Sequence, residues 1–120
     1  MADILIVDDQ SNIRRLLGVS LGDQWHVVEA ENGLSALDMV RRHNPKVVLL
    51  DVMMPGAVDG LQVLDALKID PSTAHIAVAI VSARGQQADI ENARRRGADA
   101  YFVKPFSPRQ VVAWVQERLA

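Results

Sequence analysis

Five short apolar runs, each ending at a polar residue, alternate with five stretches of helical spacing. That alternation predicts a doubly wound α/β fold. The runs cover residues 4–7, 25–30, 47–50, 76–81 and 100–103. Strands that alternate with helices through short connections are parallel and joined by right-handed crossovers. The 120 residues fit one domain, 1–120, and 49% hydrophobic content provides for a folded core.

The first run, Ile4-Leu5-Ile6-Val7, reads as a central strand that ends at Asp8-Asp9. Ser11 is placed to cap a helix with Ile13, Leu16, Leu17, Ser20 and Leu21 at helical spacing, and Gly22 ends it. Residues 25–30, Trp25-His26-Val27-Val28-Glu29-Ala30, form a more polar strand at or near a sheet edge. Asn32-Gly33 is a turn signal, and a helix follows from Ser35 to His43, stopped by Asn44-Pro45. Val47-Val48-Leu49-Leu50 is continuously apolar, as in a strand covered on both faces, and it runs straight into Asp51.

After Pro55, a helix begins at Asp59 or Gly60 with Leu61, Leu64 and Leu67 facing inward. Residues 76–81 make a fourth strand ending at Ser82. The helix over 86–96 has a poor apolar stripe (Ala88, Ile90, Ala93) and stops at Gly97. Residues 100–103 form the fifth strand, ending at Lys104-Pro105. Ser107-Pro108 supplies a cap and a proline at the first helical position of a last helix, which buries Val111, Val112, Val115 and Leu119. With runs one and three the most apolar and run two the most polar, the expected strand order is 2-1-3-4-5. This is a flavodoxin-like five-stranded parallel sheet with five helices.

Composition narrows the function. A net charge of −2 gives no bulk attraction for nucleic acid, so no direct nucleic-acid binding is expected. The absence of cysteine excludes disulfides and thiolate metal sites. No apolar run approaches the ~20 residues needed to span a bilayer, and no signal peptide is evident at the start. A soluble, cytoplasmic protein without membrane association is therefore expected.

The chemistry gathers at one edge. In a parallel sheet the carboxyl ends of all strands lie on the same rim, where ligands bind. Asp8-Asp9, Asp51, Ser82 and Lys104 each directly follow a strand. Three neighbouring carboxylates repel one another unless cations compensate. Lys104 supplies one positive charge, and an oxygen-only donor set suits Mg²⁺, or Mn²⁺, as the other. Asp51 can act as an oxygen nucleophile, with Lys104 and the Ser82 hydroxyl binding phosphoryl oxygens.

Ile6-Val7-Asp8-Asp9, Leu50-Asp51-Val52-Met53-Met54-Pro55, Val81-Ser82-Ala83 and Val103-Lys104-Pro105-Phe106, as an ordered set, resemble the bacterial two-component response-regulator receiver domain. The resemblance covers the whole chain. It implies that Asp51 is the phosphoacceptor, and that Asp8, Asp9, Asp51 and the Met53 carbonyl bind Mg²⁺. It implies that Ser82 and Lys104 contact the phosphoryl group and that the Lys104–Pro105 peptide is cis. It maps the family's switch onto Ser82 and Tyr101, which alters the face made by the fourth helix, fifth strand and fifth helix. That face also offers a possible homodimer contact.

The implied partners are a sensor histidine kinase or histidine phosphotransfer protein, and a downstream effector or a C-terminal output domain. The implied role is a switch rather than a turnover enzyme. Three readings compete. A degenerate receiver used only for dimerisation or docking is opposed by the intact Asp8, Asp9, Asp51, Ser82 and Lys104. An aspartyl phosphohydrolase of the haloacid dehalogenase type needs a second acid two residues past the nucleophile, where this chain has Met53. A nucleotide or flavin binder needs a glycine-rich phosphate loop, and no such motif is present.

The chain departs from the family pattern after Pro55, where the loop Gly56-Ala57-Val58-Asp59-Gly60 is one residue longer. Met53 and Arg84 lie two residues past Asp51 and Ser82, positions that modulate phosphate lifetime in the family. An apolar Met53 positions no attacking water, so slow self-dephosphorylation is expected. Arg94-Arg95-Arg96 reads as a solvated helix end, Trp114 as core-edge packing, and His26, His43 and His75 as surface residues.

Overall fold

A computed structural model describes residues 2–120. Five parallel strands, β1 (Ile4–Val7), β2 (Val27–Ala30), β3 (Val47–Leu50), β4 (Ala77–Ser82) and β5 (Ala100–Val103), lie in the order β2-β1-β3-β4-β5. Five helices connect them: α1 (Ser11–Leu21), α2 (Gly33–His43), α3 (Gly60–Ile69), α4 (Gln87–Arg95) and α5 (Pro108–Leu119). The expected flavodoxin-like order holds, with the polar β2 on one edge.

Strand side chains alternate between faces, and each face has its own core. Leu5, Val7, Val48, Leu50, Val78 and Ile80 pack with α2, α3 and α4. Ile4, Ile6, Val47, Leu49, Ala79 and Val81 pack with α1 and α5. Burying one such aliphatic side chain is worth roughly 1.5–3 kcal/mol, so the three central strands anchor the domain. Register then places the rim. Val7 pairs with Leu50 across β1 and β3, so the next residues, Asp8 and Asp51, emerge side by side. Ser82 pairs with Val103, so Lys104 follows at the end of β5.

Several boundaries differ from the sequence reading. Trp25 and His26 lie outside β2, because the ladder with β1 starts at Ile4 opposite Val27. Ser11 does not cap α1. It is the first helical residue, the N-cap is Gln10, and the Gln10 amide is held by Asp8 Oδ1 at 2.9 Å. α2 starts two residues earlier than expected, because the Asn32 side chain accepts from the Ser35 amide at 2.8 Å and caps the helix. β4 is shifted one residue forward, to Ala77–Ser82. On α4 only Ala93 is buried, and Ala88 is exposed rather than inward-facing.

The loop after Pro55 ends in a defined helix cap. Asp59 is the N-cap of α3, with a reciprocal capping box: Gln62 N to Asp59 Oδ1 at 2.9 Å and Asp59 N to Gln62 Oε1 at 2.8 Å. The helix then starts at Gly60, pressed against the phosphoacceptor candidate's own backbone. A Cβ at Gly60 would lie 2.1 Å from the Asp51 carbonyl oxygen.

Candidate functional site: a carboxylate rim beside Lys104

Asp8 and Asp51 are buried, at 1% and 4% exposure, whereas Asp9 is open to solvent. One carboxylate oxygen from each lies within 4.8 Å of the others. Lys104 Nζ reaches in from β5, 2.8 Å from Asp8 Oδ2 and 3.6 Å from Asp51 Oδ2. The Asp51 Oδ1 accepts the Met53 amide at 3.1 Å. The Lys104–Pro105 peptide is cis.

One ammonium does not balance three carboxylates. Burial pushes the Asp51 carboxyl above its ordinary range. The Met53 amide pulls the other way, Asp8 raises it, Lys104 lowers it and Asp9 raises it again. A cluster with surplus negative charge, oxygen donors only and one ligand open to solvent fits a hard divalent cation such as Mg²⁺. Among the described residues no other His, Asp or Glu group gathers this closely.

Ser82, Arg84 and Tyr101 form the other half of the rim. Ser82 is fully buried, and its Oγ accepts the Arg84 amide at 3.1 Å. The Tyr101 hydroxyl donates to the Arg84 carbonyl at 2.5 Å, while the ring packs against the α2–α3–α4 core. Burial pushes the Tyr101 phenol up. The Arg84 main chain thus links the Ser82 hydroxyl to the Tyr101 ring. The Met53 side chain is half exposed and the Arg84 side chain exposed, both bordering a shallow groove beside Val52 and Leu61.

Two residues at the rim, Gln10 and Arg14, escaped the sequence reading. Gln10 Oε1 accepts from Lys104 Nζ at 3.4 Å. Arg14 donates to the Asp8 carbonyl at 2.8 Å and to Glu29 Oε1 at 2.9 Å. Helical spacing places Arg14 near the rim, but nothing in the sequence pairs it with a strand fifteen residues away. His26 and His43 meet edge-on with ring centroids 6.4 Å apart, at the opposite end of the sheet from the rim. Trp114 packs edge-on against Phe102, with the Arg118 guanidinium 5.2 Å from its ring centre.

Fold and rim together define a small flavodoxin-like α/β module with a metal-competent acidic centre at its carboxyl edge. The chain belongs to the response regulator receiver domain family, whose profile matches residues 4–116. As such it is a receiver domain of a two-component system. It is 39% identical over 118 residues to the transcriptional regulatory protein SrrA of Staphylococcus aureus, covering 98% of this chain and 47% of SrrA. The chain therefore spans about half the length of the curated relatives it matches.

Solved structures agree. The receiver domain of a DNA-binding response regulator (merR) from Colwellia psychrerythraea 34H superposes with a TM-score of 0.91 at 26% identity, covering 98% of this chain and 97% of that one. The NtrX receiver domain from Brucella abortus gives 0.87 at 33% identity, covering 98% of each. Among the described residues no helix is long and apolar enough to cross a membrane.

Proposed function

We propose that this single receiver module, residues 1–120, is a phosphorylation-dependent switch with Asp51 as the phosphoacceptor. The observation that carries the reading is the placement of Asp51 between Asp8, Asp9 and Lys104, with the carboxylate oxygens within 4.8 Å of one another. The donor is a phosphohistidine of a sensor kinase or a histidine phosphotransfer protein. An Asp51 carboxylate oxygen gives its electron pair to phosphorus. The P–N bond breaks, and its pair leaves with the imidazole nitrogen, which takes up a proton from solvent.

Burial strips water from the Asp51 carboxylate, and the Met53 amide fixes one of its oxygens, leaving the other to react. Lys104 holds a positive charge at the point where phosphoryl oxygens accumulate. Asp8, Asp9, Asp51 and the Met53 carbonyl would hold Mg²⁺, or Mn²⁺, which supplies neutralisation of phosphoryl charge.

The Ser82 hydroxyl then donates to a phosphoryl oxygen. Any shift of Ser82 carries the Arg84 amide with it, and with Arg84 the carbonyl on which Tyr101 rests. The face formed by α4, β5 and α5 changes its preference for a downstream effector, an output domain or a second copy. The phosphoryl group need only stabilise one of two populated arrangements. Cytoplasmic location follows from the kinase partner. With Met53 offering no hydrogen bond to an attacking water and Arg84 shielding the groove, self-dephosphorylation is slow; a half-life of seconds in Mg²⁺ contradicts this.

Incubation with Mg²⁺ and acetyl phosphate, followed by intact mass measurement, tests the reading. A phosphoryl adduct of ~80 Da is expected on the wild type and absent from Asp51→Asn. No adduct with acetyl phosphate or with a cognate kinase contradicts it.

A further inference from the structure

We propose that Arg14 is a positioning residue for the metal-binding rim, aimed by Glu29 and acting through the Asp8–Asp9 peptide. The inference rests on the rim being a divalent-cation site, as proposed above.

The geometry isolates Arg14. Its side chain is 17% exposed and tethered at two points: Nη1 to the Asp8 carbonyl at 2.8 Å and Nε to Glu29 Oε1 at 2.9 Å. Glu29 sits on the edge strand β2, paired with Ile6 of β1. Its carboxylate therefore has a fixed base two residues before the point where β1 delivers Asp8.

The target of the tether is informative. The Asp8 amide donates to the Ala30 carbonyl at 3.1 Å. The Asp8 side chain is held by the Gln10 amide and by Lys104. The Asp8–Asp9 peptide carries the carbonyl that Arg14 holds. A peptide unit is planar, so fixing its oxygen fixes the Asp9 amide and the direction to the Asp9 Cα. Among the described residues no hydrogen bond or ion pair restrains the Asp9 carboxylate itself. Asp9 is placed by its backbone, which the Gln10 cap holds on one side and Arg14 holds on the other. The planar guanidinium spans two acceptors at once, which a lysine ammonium on a flexible stem does not reproduce.

Charge alone makes the opposite prediction. Arg14 is a cation near an acidic cluster, so deleting it strengthens the local negative potential and tightens cation binding. Positioning predicts weaker binding, because the Asp8 and Asp9 carboxylates lose their fixed separation. The sign of the change separates the two.

The test is Mn²⁺ affinity of the 120-residue chain, read from the free-ion electron paramagnetic resonance signal, for wild type, Arg14→Ala, Arg14→Lys, Glu29→Ala and Asp9→Asn. Thermal melts set a temperature at which each variant is folded. Arg14→Ala is expected to weaken Mn²⁺ binding about 10-fold, the lower end for loss of a group that orients metal ligands. Arg14→Lys does not restore it. Glu29→Ala, at an exposed position, shows a smaller loss in the same direction, and Arg14→Lys, which keeps the charge, carries the test if Arg14→Ala fails to fold.

Unchanged or tighter binding in Arg14→Ala, or wild-type binding in Arg14→Lys, overturns the positioning role while leaving the metal site intact. Wild type that binds no Mn²⁺, or Asp9→Asn that binds as well as wild type, overturns the metal reading and this inference with it.

Discussion

Helices α3 and α4 cover the same face of the sheet, yet they are attached very differently. α3 buries Gly60, Val63, Leu64 and Leu67, and its first residue abuts the Asp51 backbone. α4 buries Ala93 alone. What holds α4 is polar and lies at its C-terminal end. Arg96 pairs with Asp65 at 3.3 Å, and Lys68 pairs with Asp99 in the α4–β5 loop at 3.3 Å. The N-terminal end of α4 follows Ser82 and Arg84, where the phosphoryl group would arrive.

Elements with few buried apolar contacts open at low free-energy cost. The difference divides the rim. The β1–β3–α3 side presents Asp8 and Asp51 on a well-packed base, and in the proposed switch the β4–α4–β5 side is the part that moves when Ser82 is drawn to the phosphoryl group.

The contrast can be broken most sharply in the core. Leu64→Ala in α3 is expected to cost ~2–5 kcal/mol in urea unfolding, against about 1 kcal/mol or less for Ile90→Ala in α4. Equal losses would erase the distinction.

Lys68 is the joint between the two regions. Its ammonium donates to the Ile76 carbonyl at 2.6 Å, to the Ala74 carbonyl at 3.2 Å and to Asp99, whose Oδ2 also accepts the Val78 amide at 2.8 Å. Gly97 is needed beside it: its φ is +106°, and a Cβ would lie 2.9 Å from Lys68 Cγ. Lys68→Met removes the donor to the Ile76 and Ala74 carbonyls and the ion pair to Asp99, and is expected to cost ~1–3 kcal/mol. Hydrogen exchange should quicken at Asp99 and Ala100 before it quickens in α3. A uniform increase would show that the two regions unfold as one.

Asp51 sets the pH behaviour of the well-packed side. Its carboxyl lies above the ordinary 3.8, chiefly from burial, so the folded protein holds that proton more tightly than the unfolded chain does. The stabilisation from Asp51 is full below its unfolded pKa and is lost as pH rises through its folded pKa. At neutral pH the ionised group opposes folding. Without divalent cations, Asp51→Asn should raise the unfolding midpoint at pH 7, and its advantage should shrink as pH falls into the acid range. A lower midpoint for Asp51→Asn at pH 7 would contradict this charge balance.

The smallest effect serves as a control. Gly18 lies within α1, and a Cβ added there would meet no atom within 4 Å. Gly18→Ala should stabilise by roughly 0.5–1 kcal/mol through helix propensity, without altering exchange in α4.

Asp8, Asp9, Asp51, Ser82 and Lys104 were legible in the sequence because parallel strands deliver their carboxyl ends to one edge whatever the loops do. The strand order was legible for a related reason, since β1 and β3 are apolar at every position while β2 is not. The Arg14–Glu29 contact was not. It depends on how far two long side chains reach across the α1–β2 gap, which no local pattern encodes. Ser11 misled because a serine before an apolar stripe is a sound cap signal, yet here Asp8 already bonds the Gln10 amide. Ala88 misled because helical spacing names a stripe without saying how much of it meets the sheet.

Hydrogen–deuterium exchange of the Mg²⁺-loaded protein, with and without acetyl phosphate, tests the division of the rim most directly. Phosphorylation is expected to change protection in peptides covering 83–104 and to leave 4–8 and 60–69 unchanged. Changes centred on 60–69, with 83–104 unaffected, would contradict that division.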